Sequence, residues 1–173
     1  IDLKNLRFKY PTAERVTLDG VTFSVAPGEV LGVFGLTGSG KSTLLDLLSR
    51  TYDPPAGQLF IDGVDVTTLD INEYWGDVGY VQQTPFLFSQ TLRENICIKG
   101  DFDDDRLERA VEAACLESEI QSFPDRLETR VGERGVTLSG GQKQRSSLAR
   151  AFYRDDVRLL LLDDVLSAVD HAT

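Results

Sequence analysis

The chain carries one stretch that decides its fold: Gly35-Leu36-Thr37-Gly38-Ser39-Gly40-Lys41-Ser42-Thr43. A glycine, four residues and then Gly-Lys-Ser form the phosphate-loop pattern, which this stretch matches in full. The compact apolar run Val30–Phe34 precedes it, and leucines at helical spacing follow it from Leu44 onward. The sequence therefore predicts a buried central strand at Val30–Phe34, a tight loop at residues 35–43 and a helix behind the loop.

The residue types in this loop suit the binding of phosphate groups. Glycines let the backbone curl so that successive N–H groups face phosphate oxygens, and the next helix adds its positive N-terminal end. Lys41 adds a charge for the β- and γ-phosphates, and the Ser42 hydroxyl is placed to coordinate Mg²⁺. We expect a nucleotide polyphosphate site here.

A second acidic element completes this chemistry. The apolar run Leu159–Leu162 ends in Asp163 and Asp164, as expected for a buried strand that delivers a carboxylate at its C-terminal end. Asp163 is the expected metal-side acid, acting through water. Asp164 stands where a general base for an attacking water is expected. The run is weak evidence alone and gains this meaning from the phosphate loop.

Composition limits the classes of protein that fit. The chain has 173 residues, which is one domain or a large part of one. A net charge of −10 argues against a nucleic-acid platform, which would show a basic face. No apolar run approaches the roughly 18 residues of a membrane span, and neither Cys97, Cys115 nor His171 has metal-ligand spacing.

Periodicity predicts an α/β order of elements. Strands are predicted at Leu3–Tyr10, Val21–Val25, Gln58–Ile61 and Val78–Val81, in addition to the two apolar runs. Helical spacing replaces alternation from Thr91 to about Pro124 and from Ser139 to Arg154, and Thr91 and Ser139 each open a capping-box pattern. The simplest architecture is a β/α core at residues 1–83 and 156–173, interrupted by a helical insert at 84–155.

These motifs resemble the nucleotide-binding domain of an ATP-binding cassette transporter, over essentially all 173 residues. Gly35–Thr43 matches the family's Walker A loop, Leu159–Asp163 its Walker B strand and Leu138-Ser139-Gly140-Gly141-Gln142 its signature. The resemblance implies ATP and Mg²⁺ as cofactors. It also implies a P-loop NTPase core with a mixed or parallel sheet, an N-terminal antiparallel β portion, and a helical insert that carries the signature.

Shorter matches refine the resemblance. Tyr10 falls where the family places an aromatic that stacks on adenine. Gln83 matches the Q-loop glutamine, which touches Mg²⁺ and senses the membrane domain. Ser167–Asp170 resembles the D-loop, which crosses the dimer interface. The stretches Thr129–Gly135 and Gln83–Ile96 are similar to those of exporters.

The resemblance assigns the site residue by residue. Catalytic roles fall to Lys41, Gln83 and Asp164. Metal contacts fall to Ser42, Gln83 and Asp163. The residues expected to contact the nucleotide are Tyr10, Gly35, Leu36, Thr37, Gly38, Ser39, Gly40, Lys41, Ser42, Thr43, Gln83, Ser139, Gly140, Gly141 and Gln142.

The signature implies a second nucleotide-binding domain as partner. Ser139 caps a helix that begins with two glycines, and an uncrowded helix N-terminus binds anions. In the family, the signature of one subunit caps the γ-phosphate held by the other, so two ATP molecules join a head-to-tail dimer that opens after hydrolysis. The expected setting is the cytoplasmic face of a membrane, with a transmembrane domain as partner and no nucleic acid. The transported substrate is not specified.

One residue departs from the family pattern. Asp164 stands where the family usually has glutamate, and a misplacement of about 1 Å can cost on the order of 10²-fold in rate. We therefore expect this Walker site to hydrolyse ATP slowly, as in the degenerate half of asymmetric exporters. Whether the dimer is a homodimer or a heterodimer stays open.

The family also has a switch histidine some tens of residues after its D-loop, and His171 follows Asp170 directly. We expect the domain to be truncated at its C-terminus and to be weakly active or inactive in isolation. Two alternatives are less favoured: a soluble cassette ATPase acting on nucleic acid or the ribosome, and an importer ATPase subunit. The net charge opposes the first, and the stretch before Leu138 opposes the second.

Overall fold

A computed structural model describes residues 1–98, 100, 102–132 and 135–165. Its strands are β1 (Asp2–Phe8), β2 (Leu18–Ser24), β3 (Leu59–Ile61), β4 (Val64–Asp65), β5 (Val78–Val81) and β6 (Leu159–Leu162). Its helices are α1 (Lys41–Leu48), α2 (Ile71–Asp77), α3 (Leu92–Ile96), α4 (Asp104–Ala113), α5 (Glu117–Ser122) and α6 (Gly140–Phe152). The fold is mixed α/β, with an antiparallel N-terminal sheet and a parallel sheet, as the sequence predicts. The chain divides into two compact units, and the boundary in the sequence follows Val78.

The first unit is built on an antiparallel sheet of four strands in the order β2-β1-β3-β4. Leu3 of β1 lies opposite Phe23 on one side and Leu59 on the other. Leu3 and Leu6 of β1 are both almost fully buried in the core, although strict alternation would put residues three positions apart on opposite faces. The pairing of β1 with β2 is irregular between them, where Asn5 has φ 51°, and this irregularity brings both leucines to one face. The structure confirms strands in the predicted regions Leu3–Tyr10, Val21–Val25 and Gln58–Ile61.

Helix α1 turns its apolar side to the interior of the first unit. It begins after Gly40, whose φ of 95° lies in the left-handed region that glycine tolerates. A Cβ at position 40 would lie 2.6 Å from a methyl group of Leu18, so any larger residue there would collide with the sheet. Leu44, Leu47 and Leu48 are buried, in agreement with the helical spacing of the sequence.

The prediction of a buried central strand at Val30–Phe34 is wrong for this structure. These residues lie in no strand, and Val30 and Phe34 are 97% and 94% exposed. A strand needs partners for its backbone N–H and C=O groups, and no strand among the described residues pairs with residues 30–34. Apolar composition alone therefore does not place this segment in the sheet.

The second unit combines a helical cluster with a small parallel sheet. Leu92 and Ile96 of α3, Leu107 of α4 and Ala149 of α6 belong to one buried cluster. Strands β5 and β6 lie side by side, which confirms both as strands. Within the described residues, no helix combines the length and apolar character that crossing a bilayer requires.

A capping box begins α3, as the sequence predicts. The Glu94 N–H donates to the Thr91 hydroxyl at 3.1 Å, and the Thr91 N–H donates to the Glu94 carboxylate at 2.8 Å. Hydrogen bonds from the Thr91 backbone and then its hydroxyl lower the pKa of Glu94. The contribution of the ionised Glu94 carboxylate to stability is therefore present above the ordinary carboxyl pKa and is lost as the pH falls.

The alanine substitution Thr91→Ala should reduce the free energy of unfolding of the chain by about 1 kcal/mol, because one orphan N–H of α3 loses its acceptor. Urea denaturation followed by circular dichroism measures this loss. The matched control is Thr137→Ala, which truncates an exposed threonine outside any helix of the same unit. An equal loss in both variants would show that the cap contributes nothing of its own.

Candidate functional site

The phosphate loop lies in the first unit as an exposed turn that leads into α1. Gly38 and Gly40 both have positive φ, 81° and 95°, so these two positions require the conformational freedom of glycine. The Ser39 N–H donates to the Leu36 carbonyl at 3.1 Å and closes the turn. A Cβ at position 35 would lie 2.7 Å from the Ser39 hydroxyl oxygen, which keeps position 35 small as well.

Lys41 folds over this loop. Its ammonium group donates to the carbonyl of Gly35 at 2.7 Å and to that of Leu36 at 3.0 Å. Residues 35–43 contain no acidic side chain, and neither does the first turn of α1. The exposed Ser42 hydroxyl stands in that turn. The loop therefore presents a positive charge, a helix N-terminus and a hydroxyl without a competing carboxylate, which suits an anionic phosphate.

Tyr10 packs beside α1 within an aromatic cluster. Its ring meets Phe8 and Tyr52 edge to face, with centroid distances of 5.0 and 4.9 Å. Its hydroxyl donates to the Thr43 hydroxyl at 3.0 Å and lies 3.4 Å from a carboxylate oxygen of Asp46. The structure thus places Tyr10 at the end of the phosphate loop, where its hydroxyl is hydrogen-bonded to Thr43.

The second unit joins Gln83 to the acidic pair after β6. The Gln83 side-chain amide donates to the Asp164 carboxylate at 3.1 Å, across 81 positions of sequence. The Asp163 N–H donates to the Val81 carbonyl at 2.9 Å, which anchors the end of β6 to the end of β5. Asp164 has φ 49°, a left-handed backbone that aspartate adopts more readily than most residues.

The predicted metal contacts in each unit carry oxygen donors of the kind that suits a magnesium ion bound together with phosphate. The described residues contain no group of three or more His, Cys, Asp or Glu side chains that could hold a metal ion. Mg²⁺ is usually bound by one or two protein oxygens together with substrate phosphates and water. Ser42 in the first unit, and Gln83 and Asp163 in the second, are hydroxyl, amide and carboxylate donors of this kind.

The signature stretch forms the N-terminus of α6, the longest described helix, with 13 residues. The Gln142 N–H donates to the Ser139 hydroxyl at 3.2 Å, and the Ser139 N–H donates to the Gln142 side chain at 2.9 Å. Leu138 is buried and ties the stretch to the core. Gly140 is exposed, and a Cβ there would meet no atom within 4 Å. The helix N-terminus is therefore open to an anion from outside the chain.

Sequence reasoning missed the groups that hold the segment after Gln83. Asn95 is fully buried, and its side chain binds both backbone groups of Phe88. Arg150 donates to the carbonyls of Asn95 and Phe86. Burial lowers the pKa of the Arg150 guanidinium from its ordinary value. The available signal was a polar residue on the apolar side of α3 and an arginine between Ala149 and Ala151.

The D-loop match Ser167–Asp170 and His171 lie outside the described residues. The remaining predicted site residues fall into two groups by unit. Tyr10 and Gly35–Thr43 belong to the first unit. Gln83, Ser139–Gln142, Asp163 and Asp164 belong to the second.

Comparisons with known proteins agree with these motifs. Residues 18–167 match the ABC transporter family. The chain is 42% identical to the ATP-dependent lipid A-core flippase of Burkholderia orbicola, over 98% of the chain and 28% of that protein. It is 44% identical to the putative multidrug export ATP-binding/permease protein YgaD of Bacillus subtilis, over 98% of the chain and 29% of that protein.

A solved structure of a bacterial Atm1-family ABC exporter with ATP bound superposes with a TM-score of 0.89 at 36% identity, over 98% of this chain and 30% of that one. The chain thus spans less than a third of each of these three relatives. The chain belongs to the ABC transporter family, as a nucleotide-binding domain similar to those of the exporters named here.

Proposed function

We propose that this domain binds Mg-ATP and hydrolyses it, together with a second nucleotide-binding domain in head-to-tail arrangement, to power export of a substrate across a membrane. One observation carries the proposal: each of the two units has a feature suited to binding an anion. The first is the loop closed by Lys41, and the second is the open helix N-terminus at Ser139. In the proposed dimer, the loop holds this chain's nucleotide and the helix N-terminus takes the nucleotide of the partner.

The chain's own residues divide the work of hydrolysis. Backbone N–H groups of residues 35–43 and the Lys41 ammonium hold the phosphates, and Lys41 leaves the carbonyls of Gly35 and Leu36 to do so. Ser42, Gln83 and Asp163 are the residues that would hold Mg²⁺. When bound, Mg²⁺ neutralises charge on the phosphoryl group that is transferred.

Asp164 is the proposed general base. It accepts a proton from the water whose oxygen forms the new bond to the γ-phosphorus, while the bond to the ADP oxygen breaks. Gln83 holds the Asp164 carboxylate at 3.1 Å and orients it. Because the aspartate side chain is one methylene shorter than the family's glutamate, we propose that this site turns over slowly and that the domain is one half of an asymmetric exporter.

The proposed setting is the cytoplasmic face of a membrane, with a transmembrane domain in the same or a partner polypeptide. Two relatives whose names describe a flippase and a multidrug export protein support this assignment. The experiment is a Mg²⁺-dependent ATPase assay on the intact protein in lipid vesicles, with and without removal of Mg²⁺ by EDTA. Hydrolysis that is absent, or indifferent to Mg²⁺, would refute the proposal.

The substitution Gly140→Asp should lower ATP hydrolysis by about tenfold or more and leave the dissociation constant for ATP nearly unchanged. A carboxylate on the first residue of α6 favours the helix dipole but repels a partner-bound phosphate, and two like charges about 4 Å apart near a surface interact by roughly 4 kcal/mol. The measurement combines turnover with equilibrium ATP binding by isothermal titration calorimetry.

The matched control is Gly140→Ala, which adds a methyl group into open space without a charge. Its unfolding free energy should be equal or higher, since alanine is a better helix former than glycine. Unchanged hydrolysis in Gly140→Asp would argue against a phosphate at this helix N-terminus.

A further inference from the structure

We propose that Arg150 is a positioning residue that fixes the segment 84–90, which follows Gln83, onto the helix that begins at the signature. The expected effect on catalysis rests on the proposed function. The fixing of residues 84–90 rests only on the contacts that Arg150 makes. Arg150 lies in α6, eleven positions beyond the cap residue Ser139. It touches neither nucleotide nor metal in this assignment, and it acts through the backbone that carries Gln83.

Arg150 forms a fork of hydrogen bonds to this segment and to α3. One terminal nitrogen donates to the Phe86 carbonyl at 2.9 Å, and Nε donates to the Asn95 carbonyl at 2.7 Å. The other terminal nitrogen donates to the Asn95 side-chain oxygen at 3.2 Å. Three donors of one planar group thus join residues that lie 55 and 64 positions away in sequence.

Asn95, which binds Arg150, also binds the backbone of Phe88. The Phe88 N–H donates to the Asn95 side-chain oxygen at 2.8 Å, and the Asn95 amide donates to the Phe88 carbonyl at 3.0 Å. The same amide donates to the Thr91 carbonyl at 2.9 Å. Asn95 is 0% exposed, so its own side chain has no water to replace a lost partner.

Helix α6 also touches the backbone before Gln83. Gln144 is 1% exposed, and its side-chain amide donates to the Gln82 carbonyl at 3.4 Å. One helix therefore holds the chain on both sides of Gln83. The Gln83 side chain, at the centre of this span, reaches the Asp164 carboxylate. Moving the segment moves the group that orients the proposed general base.

The chemistry of the acceptors separates a positioning role from simple charge pairing. Arg145, in the same helix, pairs with the carboxylate of Glu119. The hydrogen-bond acceptors of Arg150 among the described residues are neutral oxygens: two backbone carbonyls and one amide. A guanidinium bound in this way stabilises the one conformation in which all three oxygens are within reach. Lysine cannot replace it, because its ammonium group lacks the planar set of N–H donors.

The test compares Arg150→Lys with Arg145→Lys in the intact protein, by hydrogen–deuterium exchange and by steady-state kinetics. Arg150→Lys should speed exchange of the amides in residues 84–90 by about tenfold, because the Phe86 and Asn95 acceptors lose their fork. It should lower kcat by about fivefold or more while KM for ATP stays within about twofold, since phosphate binding lies elsewhere. Arg145→Lys should change neither quantity.

Equal exchange of residues 84–90 in the two lysine variants would overturn the proposal, as would a rise in KM with unchanged kcat. If Arg150→Lys does not fold, Asn95→Ser carries the same test, because it removes the amide that binds Phe88 and keeps Arg150. The exchange measurement needs no nucleotide. A protein without ATPase activity would therefore refute the proposed function and leave the structural test of Arg150 intact.

Discussion

Replacing Lys41 by alanine should lower kcat/KM for ATP at this site by on the order of 10²- to 10³-fold, the largest loss expected from any single side chain here. Lys41 is the only cationic side chain in residues 35–43. Its ammonium lies on the carbonyls of Gly35 and Leu36, inside the loop that is proposed to hold the phosphates. Without it, no cationic side chain of this loop would face the charge of the β- and γ-phosphates.

Stability and binding can be separated in this variant. The Lys41 hydrogen bonds are exposed, so their loss should cost the fold less than about 1 kcal/mol. Isothermal titration calorimetry with ATP and Mg²⁺ measures binding, and thermal unfolding without nucleotide measures stability. Lys9→Ala removes an exposed lysine of the same unit and should leave both unchanged. ATP binding that survives in Lys41→Ala would contradict the assignment of the phosphate loop.

The parts of the fold that the sequence predicts well depend on local physics. The capping boxes at Thr91 and Ser139 are read from residues three positions apart, and both form. Strand β1 is likewise predicted from its own residues, whereas the irregularity that buries both Leu3 and Leu6 appears only in its pairing with β2. The motifs of the site are local in the same sense, since each occupies a few consecutive residues.

The parts that sequence patterns do not predict depend on distant partners. The segment Val30–Phe34 looks like a buried strand, but a strand exists only where another strand accepts its hydrogen bonds. Asn95 and Arg150 donate hydrogen bonds to the backbone carbonyls of Phe88 and Phe86, and every residue type has such a carbonyl. No sequence pattern marks an acceptor that lies 64 positions away.

The meeting of Gln83 and Asp164 lies between these cases. Sequence patterns place Gln83 just after one strand and Asp164 just after another. Only the side-by-side arrangement of β5 and β6 brings the amide and the carboxylate to 3.1 Å. The residues of a site can thus be named before its distances are known, because adjacent parallel strands deliver their C-terminal ends to one edge.

Replacing Asp164 by glutamate should raise the rate of ATP hydrolysis at this site, by up to about 10²-fold. The extra methylene moves the carboxylate by roughly 1 Å toward the attacking water, and rate is that sensitive to the position of a general base. Turnover is measured in the intact protein at saturating ATP and Mg²⁺. The neighbouring change Asp163→Glu is the matched control: it lengthens the proposed metal-side acid by the same methylene and should slow hydrolysis.

The same substitution should lower stability slightly, and this second readout tests the structural reason for aspartate. Asp164 has φ 49°, where the short aspartate side chain is tolerated better than a longer one. Glutamate there should cost about 1 kcal/mol, seen as a lower melting temperature without nucleotide. If Asp164→Glu hydrolyses ATP faster and melts at a lower temperature, the backbone at this position favours aspartate even though aspartate slows hydrolysis. Unaltered hydrolysis would mean that the limiting step at this site does not involve Asp164.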